Sequence, residues 1–179
     1  MKPTRVVPWN PTWPEAYSDI RDELERILSD EIVRVHHIGS TSVPGLAAKP
    51  VIDVLMEVRD VREIDRREPD LAALGYVGKG EHGIPDRRYF TRPRGAQEKT
   101  HLHVFPAKHP RVRSHLWFRD FLRGHPGARD EYGELKLRLA IELAGDRDAY
   151  QKAKAPFIEG VIRLAELETG ERSSPQASG

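Results

Sequence analysis

The chain has 179 residues, 32% of them charged and 38% hydrophobic, and its 29 Lys and Arg against 28 Asp and Glu leave a net charge of +1. That balance describes a globular chain long enough to bury a core, with no global field drawing it to DNA or to a membrane surface. The absence of cysteine removes disulfides, thiolate catalysis and cysteine-ligated zinc, and suits a cytoplasmic protein.

The N-terminal segment MKPTRVVPWNPTW has no long apolar run, and no stretch of about 18 apolar residues follows, so neither a signal peptide nor a spanning helix is expected. Thr12-Trp-Pro-Glu15 has the form of a capping box, with Thr12 as N-cap and Glu15 reaching back. Tyr17, Ile20, Leu24, Ile27 and Leu28 then mark one face of a helix that should end near Ser29 and Asp30. Glu31 to Ile38 is rich in β-branched residues and predicts a strand. Gly39 to Lys49 predicts a loop or short helical turn. Val51 to Val58 is nearly all apolar apart from Asp53 and Glu57, as in a central strand covered on both faces.

Asp60 to Leu74 predicts a helix that stops at Gly75 and is kinked or broken by Pro69. Tyr76-Val77 opens another strand, and Gly78 to Asp86 is a turn-rich loop. Arg87 to Arg92 and Thr100 to Pro106 predict a hairpin around Pro93-Arg-Gly95. Three apolar stripes follow, one through Trp117, Phe118, Phe121 and Leu122. The second runs through Tyr132, Leu135, Leu139 and Leu143, and the third through Tyr150, Ala153, Phe157, Val161 and Leu164, with Pro156 expected to bend it. All three read as core. The order predicts an α+β domain over residues 1–170, a mixed β-sheet flanked by helices with a helical C-terminal part, followed by a disordered tail over 171–179.

Chemistry concentrates in the segment from His36 to Val58. Gly39 lets a backbone come close to a ligand, and Ser40, Thr41 and Ser42 offer hydroxyls and amides to a phosphate, although a Gly-Ser loop is also an ordinary turn. Asp53, inside an apolar strand, needs either a metal ion or an Arg or His partner. His101 and His103 alternate with apolar residues, so both imidazoles share one strand face, where they bind a metal ion or hydrogen-bond within a polar patch. His36 and His37 are adjacent, so at most one can look into a common site. Among the hairpin arginines Arg87, Arg88, Arg92 and Arg94, one or two can meet phosphates, or all can guard an edge strand; Tyr89 offers a ring to a base. Lys49 stands just before the Asp53 strand, within reach of a phosphate. No GxxxxGK[ST] occurs, which excludes a P-loop kinase.

The segment HIGSTSVPGLAAKPVIDVLMEV is similar to the signature of the GrpB family, within the nucleotidyltransferase superfamily. Thr100-His-Leu-His-Val-Phe105, Phe118-Arg-Asp-Phe-Leu-Arg123, Leu135-Lys136 and Tyr150-Gln-Lys-Ala-Lys154 match it too, from about Val7 to Leu167. Members also resemble a domain found fused to dephospho-CoA kinase. The resemblance implies a nucleotidyltransferase-like fold in which a Gly-Ser pair holds nucleotide phosphates. An Asp-x-Asp pair on the next strand would bind divalent Mg²⁺ or Mn²⁺, with a third acid from a neighbouring strand. Gly39 and Ser40 match the first element and Asp53 the first acid.

The second acid is absent, because position 55 is Leu55. Glu57 shares the strand face of Asp53 but lies ~13 Å away, whereas paired ions lie about 3.5–4 Å apart. His101 and His103 are the candidates to complete a metal site with Asp53. Three readings follow. The first is a metal-dependent nucleotidyltransferase that uses a nucleoside triphosphate and an unknown acceptor. The second is a non-catalytic nucleotide- or coenzyme-binding module without the acid pair. The third, a phosphoesterase of alternating histidines, is disfavoured by Lys99 and Phe105 at the flanking alternate positions.

Overall fold

The computed structural model describes residues 5–93, 95 and 99–170; Arg94 and the tail 171–179 lie outside the described residues. Helix α1 (Trp13–Leu28) precedes strands β1 (Ile32–Ile38) and β2 (Val51–Val58), which are joined by a loop containing a 3-10 turn over Ser40–Ser42. Two short helices, α2 (Val61–Arg66) and α3 (Glu68–Ala73), lead to β3 (Val77–Gly78), β4 (Arg88–Arg92) and β5 (Lys99–Pro106). Helices α4 (Pro110–Gly124), α5 (Pro126–Glu142) and α6 (Arg147–Thr169) complete the chain.

The strands form one mixed sheet in the order β1-β2-β5-β4-β3. Only β2 and β5 run parallel, and the segment from α2 to β4 makes the crossover between them. The α+β class and the helical C-terminal part are as the sequence predicts, and β2 is central. One sheet face carries Ile52, Val54, Met56, Leu102, Val104 and Phe90, and α1 buries Ile20, Leu24 and Leu28 against it, with Ile64 of α2 and Leu71 of α3. The spacing of Ile20, Leu24 and Leu28 keeps them on one stripe, and each contributes about 1.5–3 kcal/mol by leaving water. The opposite face carries Ile38, Leu55 and Phe105, which meet Val112 and Leu116 of α4. A third cluster, Val43, Leu46, Phe121, Leu122, Tyr132 and Val161, ties α4, α5 and α6 to the loop after β1.

Three local expectations need correction. Thr12 is the N-cap of α1 by position but makes no side-chain cap, because its own backbone is already helical (φ −82°, ψ −10°). Asn10 turns the chain instead, its side-chain oxygen accepting from the Thr12 amide at 3.0 Å. The break after α2 falls at Arg67, two residues before Pro69, so that the proline stands in the first turn of α3, where its missing N–H costs nothing. Ala153 and Leu164, assigned to the core stripe of α6, are exposed, while α6 runs across Pro156 without ending.

Candidate functional site

Asp53 is on the sheet face that looks toward α4, α5 and α6. Its register partner on β1 is Ile38 and on β5 His101. The chain leaves β1 through Gly39, whose backbone (φ +69°, ψ −173°) admits the Asp53 carboxylate; a Cβ there would come within 2.5 Å of Asp53 Oδ2. The two halves of the sequence motif are thus in contact.

His101 Nδ1 lies 3.2 Å from Asp53 Oδ1, and His103 Nε2 lies 3.8 Å from the same oxygen. Arg87 Nη1 sits 3.4 Å from His103 Nδ1. An arginine only donates, so this nitrogen accepts and the proton of the neutral His103 ring is on Nε2, facing Asp53. The ionised carboxylate only accepts, so His101 donates through Nδ1. Burial by itself would raise the Asp53 carboxyl, but the hydrogen bonds of His101 and His103 and their electrostatic attraction for the carboxylate outweigh it and hold the group well below the usual carboxylate range. Asp53 nevertheless keeps 27% of its side-chain surface exposed, because it opens onto a cavity.

That cavity measures about 720 Å³ and lies between the sheet and the C-terminal helices. Gly39, Ser40, Thr41, Lys49, Asp53, His101 and His103 line it, which brings together seven of the residues singled out in the sequence. The others lie elsewhere. Ser42 is buried and donates its hydroxyl to the Gly39 carbonyl at 2.6 Å. Arg88 is outside the cavity, its guanidinium held by both oxygens of Asp65 at 2.5 and 2.8 Å. Tyr89 is buried behind His101 and His103, 5.7 and 5.0 Å away by ring centroid, and offers no free face to a base in the cavity. Arg87 donates to the Glu81 and His82 carbonyls, and Arg92 pairs with Glu23 at 2.6 Å. His36 pairs with Glu57 at 2.8 Å, and His37 stacks on Tyr17, so neither histidine reaches the cavity.

The helices supply what the motif did not announce. Arg111 and His115 of α4, Tyr132 and Lys136 of α5, and Arg147, Tyr150 and Lys154 of α6 all line the cavity, with Arg5 and Lys99. In all, seven cationic side chains face one carboxylate, Asp53. Lys136, only 3% exposed, donates to Ser40 Oγ at 3.0 Å and to the Ala47 carbonyl. Burial, with Lys154 nearby, pushes its ammonium down to about 7. Burial and then Lys49 push Lys154 down to about 8. Burial, with His103 beside it, lowers His115 to about 3, so that this ring is neutral. A signal for the lysines existed: Lys136 and Lys154 stand one turn after Tyr132 and Tyr150, on the apolar stripes, where a charge has no place without a function.

The donor set does not fit a pair of metal ions. Leu55 is fully buried where the second acid would stand, and Glu57 is taken by His36 and by the Lys108 amide. Among the described residues no group of three or more His, Asp or Glu side chains is arranged to hold a metal ion. Nor is any helix among them long and apolar enough to cross a membrane. What the site offers is one ionised carboxylate held by two imidazoles, beside a wall of positive charge.

Comparison with known proteins follows the same lines. The family described as GrpB protein matches residues 3–163. The UPF0157 protein YqkA of Bacillus subtilis is 38% identical over 155 residues, covering 86% of this chain and 45% of that protein. A dephospho-CoA kinase of Mycolicibacterium paratuberculosis is 28% identical, over 91% of this chain and 46% of the kinase. The chain therefore spans less than half the length of either protein. The crystal structure of the conserved protein GrpB from Enterococcus faecalis superposes with a TM-score of 0.87 at 33% identity, covering 93% of this chain and 100% of that one.

Proposed function

The chain belongs to the GrpB family, and from that premise we propose that its cavity binds a nucleotide or coenzyme by the phosphates, without the acid pair of a two-ion transferase. The observation that carries this reading is the charge of the wall, seven cationic side chains against one carboxylate in a chain whose net charge is only +1. Positive charge so concentrated in a concave, partly apolar site calls for an anionic ligand. The volume of about 720 Å³ falls within the ~300–1,000 Å³ usual for small-molecule sites. The name of the mycobacterial relative puts dephospho-CoA and CoA among the ligands to try, beside nucleoside triphosphates. The cytoplasm, where such compounds are made and used, is the compartment this reading requires.

Nucleotidyl transfer to an unidentified acceptor is the second reading. It is favoured by the close fit of Gly39 to Asp53, the two parts of the superfamily signature this chain retains. In that reading Asp53, ionised, is the carboxylate that would ligate the metal ion, and His101 or His103 would complete the site in place of the missing carboxylate.

Thermal unfolding against nucleoside triphosphates, CoA and dephospho-CoA, with and without Mg²⁺ or Mn²⁺, separates the two. A ligand at about 100 times its Kd adds about 2.7 kcal/mol, a rise of roughly 5–11 °C for a chain of this size. Binding alone predicts a rise that needs no metal and survives Asp53→Asn. A rise that needs metal and disappears in Asp53→Asn transfers the case to the second reading. No rise with any compound in the panel refutes both.

A further inference from the structure

Resting on the reading of the cavity as a phosphate site, we propose that the phosphates lie along a row of three lysines, Lys136, Lys154 and Lys49, and that this row selects ligands with two or more adjacent phosphates over monophosphates. The three come from separate places, α5, α6 and the loop before β2, and are brought together on the helical wall. Each ammonium rests over an aromatic face: Lys136 over Tyr132 at 4.6 Å, Lys154 over Tyr150 at 4.7 Å and Lys49 over the same ring at 4.3 Å. The rings hold the ammoniums in place without neutralising them.

Among the described residues none of the three pairs with a carboxylate. The hairpin arginines show the ordinary alternative, Arg88 being paired with Asp65 and Arg92 with Glu23. Clustering buried ammoniums without a counter-charge costs stability, which makes sense where an anion supplies the charge. The three do not share one spot: Lys49 and Lys154 sit over the Tyr150 ring, whereas Lys136 sits over a different ring, Tyr132, and reaches Ser40. A single phosphate spans part of such a row; a chain of phosphates matches it. An ammonium on a flexible stem also suits a phosphate oxygen as a point charge.

The row carries a diagnostic. Because Lys136 and Lys154 titrate at about 7 and about 8 in the ligand-free protein, an oligophosphate that favours their charged forms takes up protons as it binds near neutral pH. Among the described residues the same cavity is lined by the cations Arg5, Lys49, Lys99, Arg111 and Arg147, by Tyr132 and Tyr150, by His101, His103 and His115, and by one carboxylate, Asp53, already ionised and unable to supply that proton.

Isothermal titration with inorganic phosphate, diphosphate and tripolyphosphate, in two buffers of different ionisation heat at about pH 8, tests this. Tripolyphosphate is expected to bind at least about tenfold tighter than phosphate, with net proton uptake. Lys154→Met should weaken it about tenfold, Lys154→Arg should restore much of the loss, and Lys152→Met, exposed on the same helix, should change nothing. Melting temperatures show that the variants fold. Equal affinity for phosphate and tripolyphosphate, or unchanged affinity in both Lys136→Met and Lys154→Met, overturns the row. A nucleotide or coenzyme that binds where tripolyphosphate does not also overturns it, while leaving the cavity reading intact.

Discussion

Gly39 shows how much one residue decides. It is held at φ +69°, where a side chain is strained, and a Cβ would also press against Asp53 Oδ2 at 2.5 Å. Gly80 has a similar φ of +57° but open space around it. Gly39→Ala should therefore cost roughly 2–4 kcal/mol, and Gly80→Ala only about 1 kcal/mol. Urea denaturation of the two variants measures the difference; equal losses would mean that the Asp53 contact adds nothing. The sequence marks Gly39 as a place of close approach, but assigns that approach to a ligand, whereas the nearest group is a carboxylate of the same chain. The need of Asp53 for a partner was legible from its apolar surroundings. Its partners, His101 and His103, were legible as a pair on one face. Their meeting was not, because the register of two parallel strands joined by a long crossover is written in no local pattern.

At the scale of elements, periodicity and composition located the long helices and the main strands, since burial imposes the period they read, but they joined α2 and α3 into one segment broken at Pro69. Both failed where a charge finds a distant partner. From the sequence Arg88 and Arg92 can meet phosphates or guard an edge strand; in the fold they pair with carboxylates from α2 and α1. Both also failed on α5 and α6, whose stripes read as core throughout although Lys136 and Lys154 interrupt them. Lys136 is nearly wholly buried with its ammonium depressed, so charging it costs the ligand-free fold stability. Lys136→Met, similar in length and apolar, should stabilise the ligand-free protein by roughly 1 kcal/mol or more at neutral pH, while removing one member of the phosphate row. Chemical denaturation reads the first effect and titration with tripolyphosphate the second. A destabilised variant would mean that the bonds to Ser40 and Ala47 outweigh the cost of burial.

The whole molecule should record these groups in its stability against pH. Burial lowers His37 to about 4 and His115 to about 3, below the ordinary 6.5 of an unfolded chain. Above about pH 6.5 both states are neutral and nothing is lost. As pH falls, the unfolded chain takes up protons that the folded chain refuses, and at about pH 5 each histidine has cost about 2 kcal/mol. Against a total of roughly 5–15 kcal/mol that is a large fraction. Lys136 and Lys154 act in the same direction at higher pH: their folded values, about 7 and about 8, lie below the ordinary 10.5, so stability keeps rising as pH increases toward that value. Asp53 is likewise held below its ordinary value, so its contribution also grows with pH and is fully present above about pH 4. It is lost only in stronger acid and adds no slope between about pH 5 and 9. The ligand-free protein should therefore gain stability steadily from about pH 5 to 9, rather than peak near neutrality as many proteins do. Saturating tripolyphosphate should flatten the upper half of that curve, by protonating the lysines, and leave the histidine-driven lower half in place. Denaturation curves at a series of pH values, with and without tripolyphosphate, measure both halves. A ligand-free profile that is level between about pH 7 and 9 would show that the buried lysines are not depressed.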